Sequence, residues 1–285
     1  MQSVYFNVWH EIKKLLYPFM KLCQVSRVNY TYKDFFDYEV NKHHILVMPH
    51  QLQIDVAGFN IIDEIITIAY QADDPTERQN FTKCHELGHI LLNHQGRVFT
   101  HFEDDSLQER EANFASAFIL MPDIVLLTKI IYQHKYFQEV ASDLQVSGQA
   151  LKARLIDFLR FELELDLASS RQIVEDYITR KNDKLYDWFD KVKAFIISDY
   201  NEFEAPLLDK FGLLLSKQDF ITELDLPELA DEDALAQVKE NFSTVKTWIV
   251  YNKGKTLYYA WSTQKLDEVE ARDKANKLLI RKKLI

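Results

Sequence analysis

The chain has 285 residues, 47% hydrophobic and 13% aromatic, a globular composition with room for two or three domains rather than a disordered one. A net charge of −10 argues against a surface adapted throughout to phosphate, since sequence-independent nucleic-acid binding needs clustered Lys and Arg; only local DNA contacts stay open. No stretch approaches the roughly eighteen uncharged apolar residues of a membrane span, and Cys23 and Cys84 lack CxxC spacing, which excludes a disulfide framework and a zinc knuckle.

Met1 to Leu22 carries Glu11, Lys13, Lys14 and Lys21 within an amphipathic pattern, neither a signal peptide nor a membrane span. With the two cysteines, this predicts a protein of the reducing cytoplasm. Ile45 to Met48, Gln51 to Val56 and Ile65 to Tyr70 are β-branched or alternating runs, expected as strands of a small sheet. Asp74-Pro75-Thr76-Glu77 then offers an N-cap, a proline at the first helical position and an acid at the third, and Gly96 sits where a left-handed C-terminal residue is wanted. These signals predict a helix over roughly 75 to 95. Its apolar residues, Phe81, Cys84, Leu87, Ile90, Leu91 and Leu92, cover nearly the whole circumference, so it should be buried on most sides.

Inside that helix stands His85-Glu86-Leu87-Gly88-His89. An HExxH pattern puts two imidazoles four residues apart on one face and a carboxylate about 100° round from the first. The two ring nitrogens can take two corners of a tetrahedral zinc site, and Glu86 can act as general base. Two core histidines bonded to carbonyls would explain neither the helical repeat nor the adjacent acid. Gly88 costs the helix about 1 kcal/mol against alanine, which implies either close packing of a strand or open space beside the site, the packing being favoured. Cys84 reads as a small buried apolar residue, with a redox-sensitive thiol as the alternative.

A third ligand is required. His94 lies nine residues beyond His85 and would point about 180° away on a continuing helix, so it is set aside. After the loop from Gly96 to Glu103, Asp104, Asp105 and Ser106 offer N-caps for a second helix from Leu107 to Met121, which Pro122 ends. Glu109, Ala112, Asn113 and Ser116 fall on one of its faces. Glu109 and Glu111 are both candidate ligands, and spacing does not separate them.

Further on, Phe137 to Leu144 and Gly148 to Leu155 flank a short turn in a helix-turn-helix outline. Lys152 and Arg154 are its cations, few for DNA reading, so packing for the core is the favoured role. Phe161 to Leu167 alternates with period two; Ser169 to Gln172 then caps a long amphipathic helix running towards Tyr200, with a boundary near 166. Trp248 to Tyr251 and Leu257 to Trp261 flank Asn252-Lys253-Gly254-Lys255 as a hairpin, followed by a charged helix from Ser262. Arg281-Lys282-Lys283 reads as a solvated tail.

The stretch from Arg78 to Pro122, RQNFTKCHELGHILLNH and then EREANFASAFILMP, resembles the ImmA/IrrE family of metallopeptidases, whose pattern is an HExxH helix followed by an ExxAN-F-A segment and a Leu-Met-Pro-like run. The resemblance reaches about residue 160, where Val146-Ser147, Ala150-Leu151 and Arg154-Leu155 match a further family stretch. It departs at Cys84, where the family usually has a small residue. It implies His85, His89 and Glu109 as metal ligands, Glu86 as the catalytic acid, Glu111 as the runner-up ligand and Zn²⁺ as cofactor.

The expected fold is α+β: a minimal zincin-like core over residues 1–125, a helix-turn-helix-like segment over 126–165, and a C-terminal module over 166–285 that serves sensing or partner binding. In such cores an edge strand pairs with extended substrate. The resemblance further implies a bacterial or phage regulatory endopeptidase that cleaves a helix-turn-helix transcriptional repressor. The alternatives are a DNA- or protein-binding regulator with a structural zinc and a peptidase of broad small-peptide specificity. Tyr70, Arg78, His94 and His101 are candidates for steadying the oxyanion.

Overall fold

The amphipathic start is helical in a computed structural model of the chain, which describes residues 2–51, 58–61, 66–94, 98–100, 106–252 and 254–281. The chain divides into two compact units, Met1–Glu204 and Ala205–Ile285.

In the first unit, α1 (Gln2–Leu22) turns Tyr5, Val8, Ile12 and Leu16 inward at helical spacing. The short α2 (Tyr32–Lys42), which the sequence reading did not mark, buries Tyr32, Phe35, Phe36 and Glu39. Four short strands follow: β1 (Leu46–His50), β2 (Gly58–Ile61), β3 (Thr67–Gln71) and β4 (Val98–Thr100). Their order in the sheet is β1-β3-β2-β4, with β1 parallel to β3 and the other pairings antiparallel. The expected runs at 45–48 and 65–70 correspond to β1 and β3, whereas residues 52–56 of the run from Gln51 to Val56, and residue 65, lie outside the described residues. β4 falls where a loop was expected. The sheet edges are therefore β1 and β4.

α3 (Thr76–Leu91) packs on β3 and β2 and, more extensively, on α4 (Leu107–Leu120). Beyond Pro122 come α5 (Asp123–Leu127), a π-helical turn Thr128–Tyr132, α6 (Phe137–Leu144) and α7 (Gly148–Phe161). α6 and α7 carry the expected helix-turn-helix outline. Gln145 takes a left-handed conformation, φ 53°, at the end of α6, and the Ser147 hydroxyl accepts from the Ala150 N–H at the start of α7. Lys152 pairs with Glu175, and the guanidinium of Arg154 is buried against Asp123. Both cations are thus held in ion pairs within the unit.

The alternating stretch from Phe161 to Leu167 is not a strand. It ends α7 and turns at Glu164, φ 54°, while Leu163 and Leu165 pack on the core. The long helix expected from Ser169 is two helices, α8 (Leu167–Ile178) and α9 (Asp183–Glu202), broken where Arg180 takes φ 66°. Asp166 caps α8, its carboxylate accepting from the N–H groups of Ala168 and Ser169. Ile173, Val174, Tyr177, Leu185, Phe189 and Ile196 share one core with Leu87, Ile119 and Leu155. The compact units therefore divide after Glu204 and not near 166: the apolar faces of α8 and α9 have no core of their own and complete that of the first unit.

The second unit contains α10 (Leu207–Lys217), β5 (Phe220–Thr222), α11 (Glu232–Asn241), β6 (Val245–Asn252), β7 (Lys255–Ser262) and α12 (Glu268–Arg281). Its strands form an antiparallel sheet in the order β5-β7-β6. The expected hairpin is present, with Trp248 opposite Tyr259 and Gly254 at φ 83° in the turn. The charged helix starts at Glu268 rather than Ser262. Among the described residues no single helix is long and apolar enough to cross a membrane.

Candidate metal centre

The centre lies where α3 and α4 cross, and small residues set the distance between them. A Cβ on Gly88 would lie 2.9 Å from Cβ of Ala115 and 3.3 Å from the carbonyl oxygen of Ala112. Of the two accounts of Gly88, the structure therefore selects close packing, against a helix and not a strand. The Ser116 hydroxyl donates to the Phe81 carbonyl at 3.2 Å and ties the same two helices. We expect Gly88→Ala to lower stability by about 1–3 kcal/mol, because overpacking here outweighs the better helix propensity of alanine. Thermal melting checks this; a melting temperature equal to or above that of the unaltered chain would refute the packing argument.

The close crossing lets Glu109, in the first turn of α4, reach both histidines of α3. Its carboxylate oxygens lie 3.1 Å from His85 Nε2 and 3.4 Å from His89 Nε2, and the two Nε2 atoms are 3.1 Å apart. All three residues are buried. Ser106 caps α4 by accepting from the Glu109 N–H at 3.2 Å, so of the three cap candidates the structure uses Ser106; Asp104 and Asp105 lie outside the described residues. A zinc ion with nitrogen and oxygen ligands near 2.0–2.2 Å in tetrahedral geometry sets neighbouring ligand atoms about 3.3 Å apart. The donor types and their separations fit such an ion. Among the described residues His85, His89 and Glu109 form the His/Cys/Asp/Glu group with this closeness.

The surroundings orient these donors. Asn113, one turn after Glu109, places its side-chain oxygen 3.0 Å from His85 Nδ1. An amide oxygen only accepts, so Nδ1 of His85 carries the hydrogen and Nε2 presents its lone pair to the cluster. The face of Glu109, Ala112, Asn113 and Ser116 singled out in the sequence is thus the face that meets α3. Glu86, next to His85, is buried at 1% exposure. Cys84 is wholly buried, and burial pushes its thiol well above the ordinary value, which keeps it protonated and apolar in behaviour.

His94 enters the site by a route the sequence reading did not anticipate. α3 starts one residue later than expected, with Pro75 as N-cap, and stops early, with Leu92 as C-cap. Asn93 takes the left-handed conformation, φ 54°, and Gly96 lies outside the described residues. The N–H groups of Asn93 and His94 donate to the carbonyls of Ile90 and His89 at 3.1 and 3.0 Å, a Schellman turn. The turn folds His94 back under the helix end, where its Nδ1 lies 2.8 Å from His89 Nδ1 and its Nε2 lies 3.1 Å from Glu111 Oε2. Burial, with the neighbouring His89, holds the His94 imidazole below its ordinary pKa, against the opposing pull of Glu111. Glu111, the runner-up ligand, is thereby placed on His94.

Of the remaining oxyanion candidates, Arg78 pairs with Asp74 at 3.3 Å, the Tyr70 ring lies under the Lys83 ammonium at 3.9 Å, and His101 is outside the described residues.

The buried HExxH helix, crossed by an acid-bearing helix over a small mixed sheet, brings together a group that could hold a metal ion. Residues 40–156 match the family model Peptidase_M78, described as the IrrE N-terminal-like domain, so this stretch is similar to a metallopeptidase domain. The comparisons with curated proteins and with solved structures return no match.

Proposed function

We propose that this chain is a zinc-dependent endopeptidase of the gluzincin type, with His85, His89 and Glu109 as ligands and Glu86 as general base. The observation that carries the proposal is the approach of three different donor groups, from two helices, to separations of 3.1–3.4 Å in a buried setting. Zinc held there supplies Lewis acidity towards a water molecule and a peptide carbonyl. Glu86 takes the proton of the attacking water and returns it to the leaving amine. Burial strengthens each of these interactions by excluding bulk water.

The substrate is assigned as a helix-turn-helix transcriptional repressor, on the strength of the family resemblance, in a bacterial or phage cytoplasmic setting. Among the described residues β1 and β4 are the edge strands, where an extended peptide would add by backbone pairing. The unit Ala205–Ile285, with its own small cores, is assigned the sensory or partner-binding role. Co-expression with the repressor encoded beside its gene, followed by mass mapping of fragments, tests the substrate: an intact repressor under all conditions would refute it.

The metal is tested separately. Protein purified without a histidine tag and reconstituted with zinc should hold one equivalent, and His89→Ala or Glu109→Ala should lose it. Retention of less than about a tenth of an equivalent by the unaltered chain would sink the centre.

A further inference from the structure

His94 and Glu111 lie outside the group of His85, His89 and Glu109 found among the described residues, yet they form a continuous path to it. The path runs from the Glu111 carboxylate, which is 24% exposed, through the nearly buried His94 ring to the fully buried ring of His89. Its two links are 3.1 and 2.8 Å long. With Glu111 ionised and His94 neutral, the direction of hydrogen bonding along it follows from valence. An ionised carboxylate can only accept, so His94 Nε2 must donate to Glu111. A neutral imidazole with hydrogen on Nε2 has a lone pair on Nδ1. His94 Nδ1 therefore accepts, and His89 Nδ1 must be the donor. The remaining nitrogen of His89, Nε2, is left with its lone pair, and that atom lies 3.1 Å from His85 Nε2 and 3.4 Å from Glu109 Oε1.

We propose that Glu111 and His94 are positioning residues: a carboxylate–imidazole relay that fixes His89 in the tautomer whose Nε2 lone pair faces the metal cluster. The inference rests on the reading of His89 as a metal ligand. It gives the two histidines separate orienting groups on α4, Asn113 acting on His85 directly and Glu111 acting on His89 through His94. Outer partners of this kind raise the basicity of a ligating imidazole and hold its plane, and their loss typically weakens metal binding about 10- to 100-fold. The Schellman turn acquires a purpose in the same way. Had α3 continued past Leu92, His94 would project away from His89 and the relay would be broken at its middle member.

Glu111→Met removes the acceptor and nearly preserves volume, and Glu111→Gln retains an amide oxygen that can still accept. The full chain binds zinc in competition with a chelator of known affinity. Glu111→Met is expected to weaken zinc binding about 10- to 100-fold, and Glu111→Gln less. His94→Phe should match Glu111→Met, and combining the two should add nothing, because both cut one path. Long-range ¹H–¹⁵N correlation on the metal-free protein reads the tautomer directly: His89 protonated on Nδ1 in the unaltered chain, and a mixture of Nδ1 and Nε2 forms in Glu111→Met. If zinc affinity in Glu111→Met stays within twofold, or His89 remains wholly in the Nδ1–H form, the relay is overturned. Should His94→Phe fail to fold, the partly exposed Glu111 variants decide alone. Absence of zinc binding by the unaltered chain would refute the metal reading instead, while the tautomer in metal-free protein still decides the relay.

Discussion

Glu86→Gln is expected to leave zinc content near one equivalent and to lower peptide turnover by about 10² to 10⁴, the usual loss on removing a general base. The reasoning starts from the helix. Glu86 follows His85 and is rotated about 100° from it, so the residue lies beside the ligand face without belonging to the group of His85, His89 and Glu109. Glutamine keeps the length and hydrogen-bonding reach of glutamate but takes up no proton at neutral pH. Metal content and turnover should therefore separate, and KM should change less than kcat, because the lost interaction is made in the transition state. Loss of zinc together with activity would place Glu86 among the ligands and contradict the assignment. Full inactivation of the repressor in cells by a zinc-loaded Glu86→Gln protein would instead favour the regulator with a structural zinc.

The parts of the site that were legible in the sequence are those fixed by a single helix. The interval from His85 to His89 and the shared face of Glu109, Ala112, Asn113 and Ser116 depend only on 3.6 residues per turn. The choice between Glu109 and Glu111 was not legible from spacing, since it depends on how α4 crosses α3, and that crossing is set by Gly88 against Ala112 and Ala115. The position of His94 was misread for a related reason, although it stays outside the group of His85, His89 and Glu109. Its rejection as a ligand assumed a continuing helix, whereas asparagine at position 93 took the left-handed turn reserved in the reading for Gly96. Asn is the commonest substitute for glycine in that role, and Leu92-Asn93 was the available signal.

What the sequence hid most completely was the pairing of charges across long separations. Arg154 was read as one of two cations on a helix whose favoured role was packing for the core, but its partner, Asp123, 31 residues earlier, was not visible. Lys13 was read only as one charge within an amphipathic pattern, but it is buried between Asp123 and Asp199, its Nζ 2.6 and 2.7 Å from their carboxylates and 3.2 Å from the Trp9 ring centre. Hydropathy patterns assign charged residues to solvent because that is where most of them are; they hold no information on a partner in another helix. The boundary near 166 was misplaced by the same limitation, since only packing shows that α8 and α9 share the core of α1 and α7.

That buried network leads to the largest expected loss of stability. Asp123 accepts from Lys13, from Arg154 and, at 3.0 Å, from the Trp9 indole N–H, so one carboxylate joins α1, α5 and α7. Arg154 also donates to the Tyr5 hydroxyl at 3.1 Å, which donates to Glu162 at 2.6 Å. Burial, assisted by the Asp123 charge, pushes the Glu162 carboxyl up to about 8, so at neutral pH it is mainly protonated and adds little negative charge. Burial alone would raise Asp123 as well, but the charges of Lys13 and Arg154 outweigh it and hold Asp123 below the ordinary carboxylate range. Its stabilising contribution is therefore present above the unfolded-state value and is lost as pH falls through the depressed folded-state value. Asp123→Ala leaves an uncompensated Arg154 in the interior and should cost about 3–5 kcal/mol. At roughly 2–4 °C per kcal/mol for a unit of this size, the melting temperature should drop by about 6–20 °C. Arg154→Met in the same background should restore part of the loss, because the stranded cation is then replaced by an apolar side chain of similar length while Lys13 keeps Asp199. Calorimetry of the two single variants and the double variant measures this coupling. A drop below about 3 °C for Asp123→Ala, or a double variant less stable than the sum of the singles predicts, would show that the network does not hold these helices together.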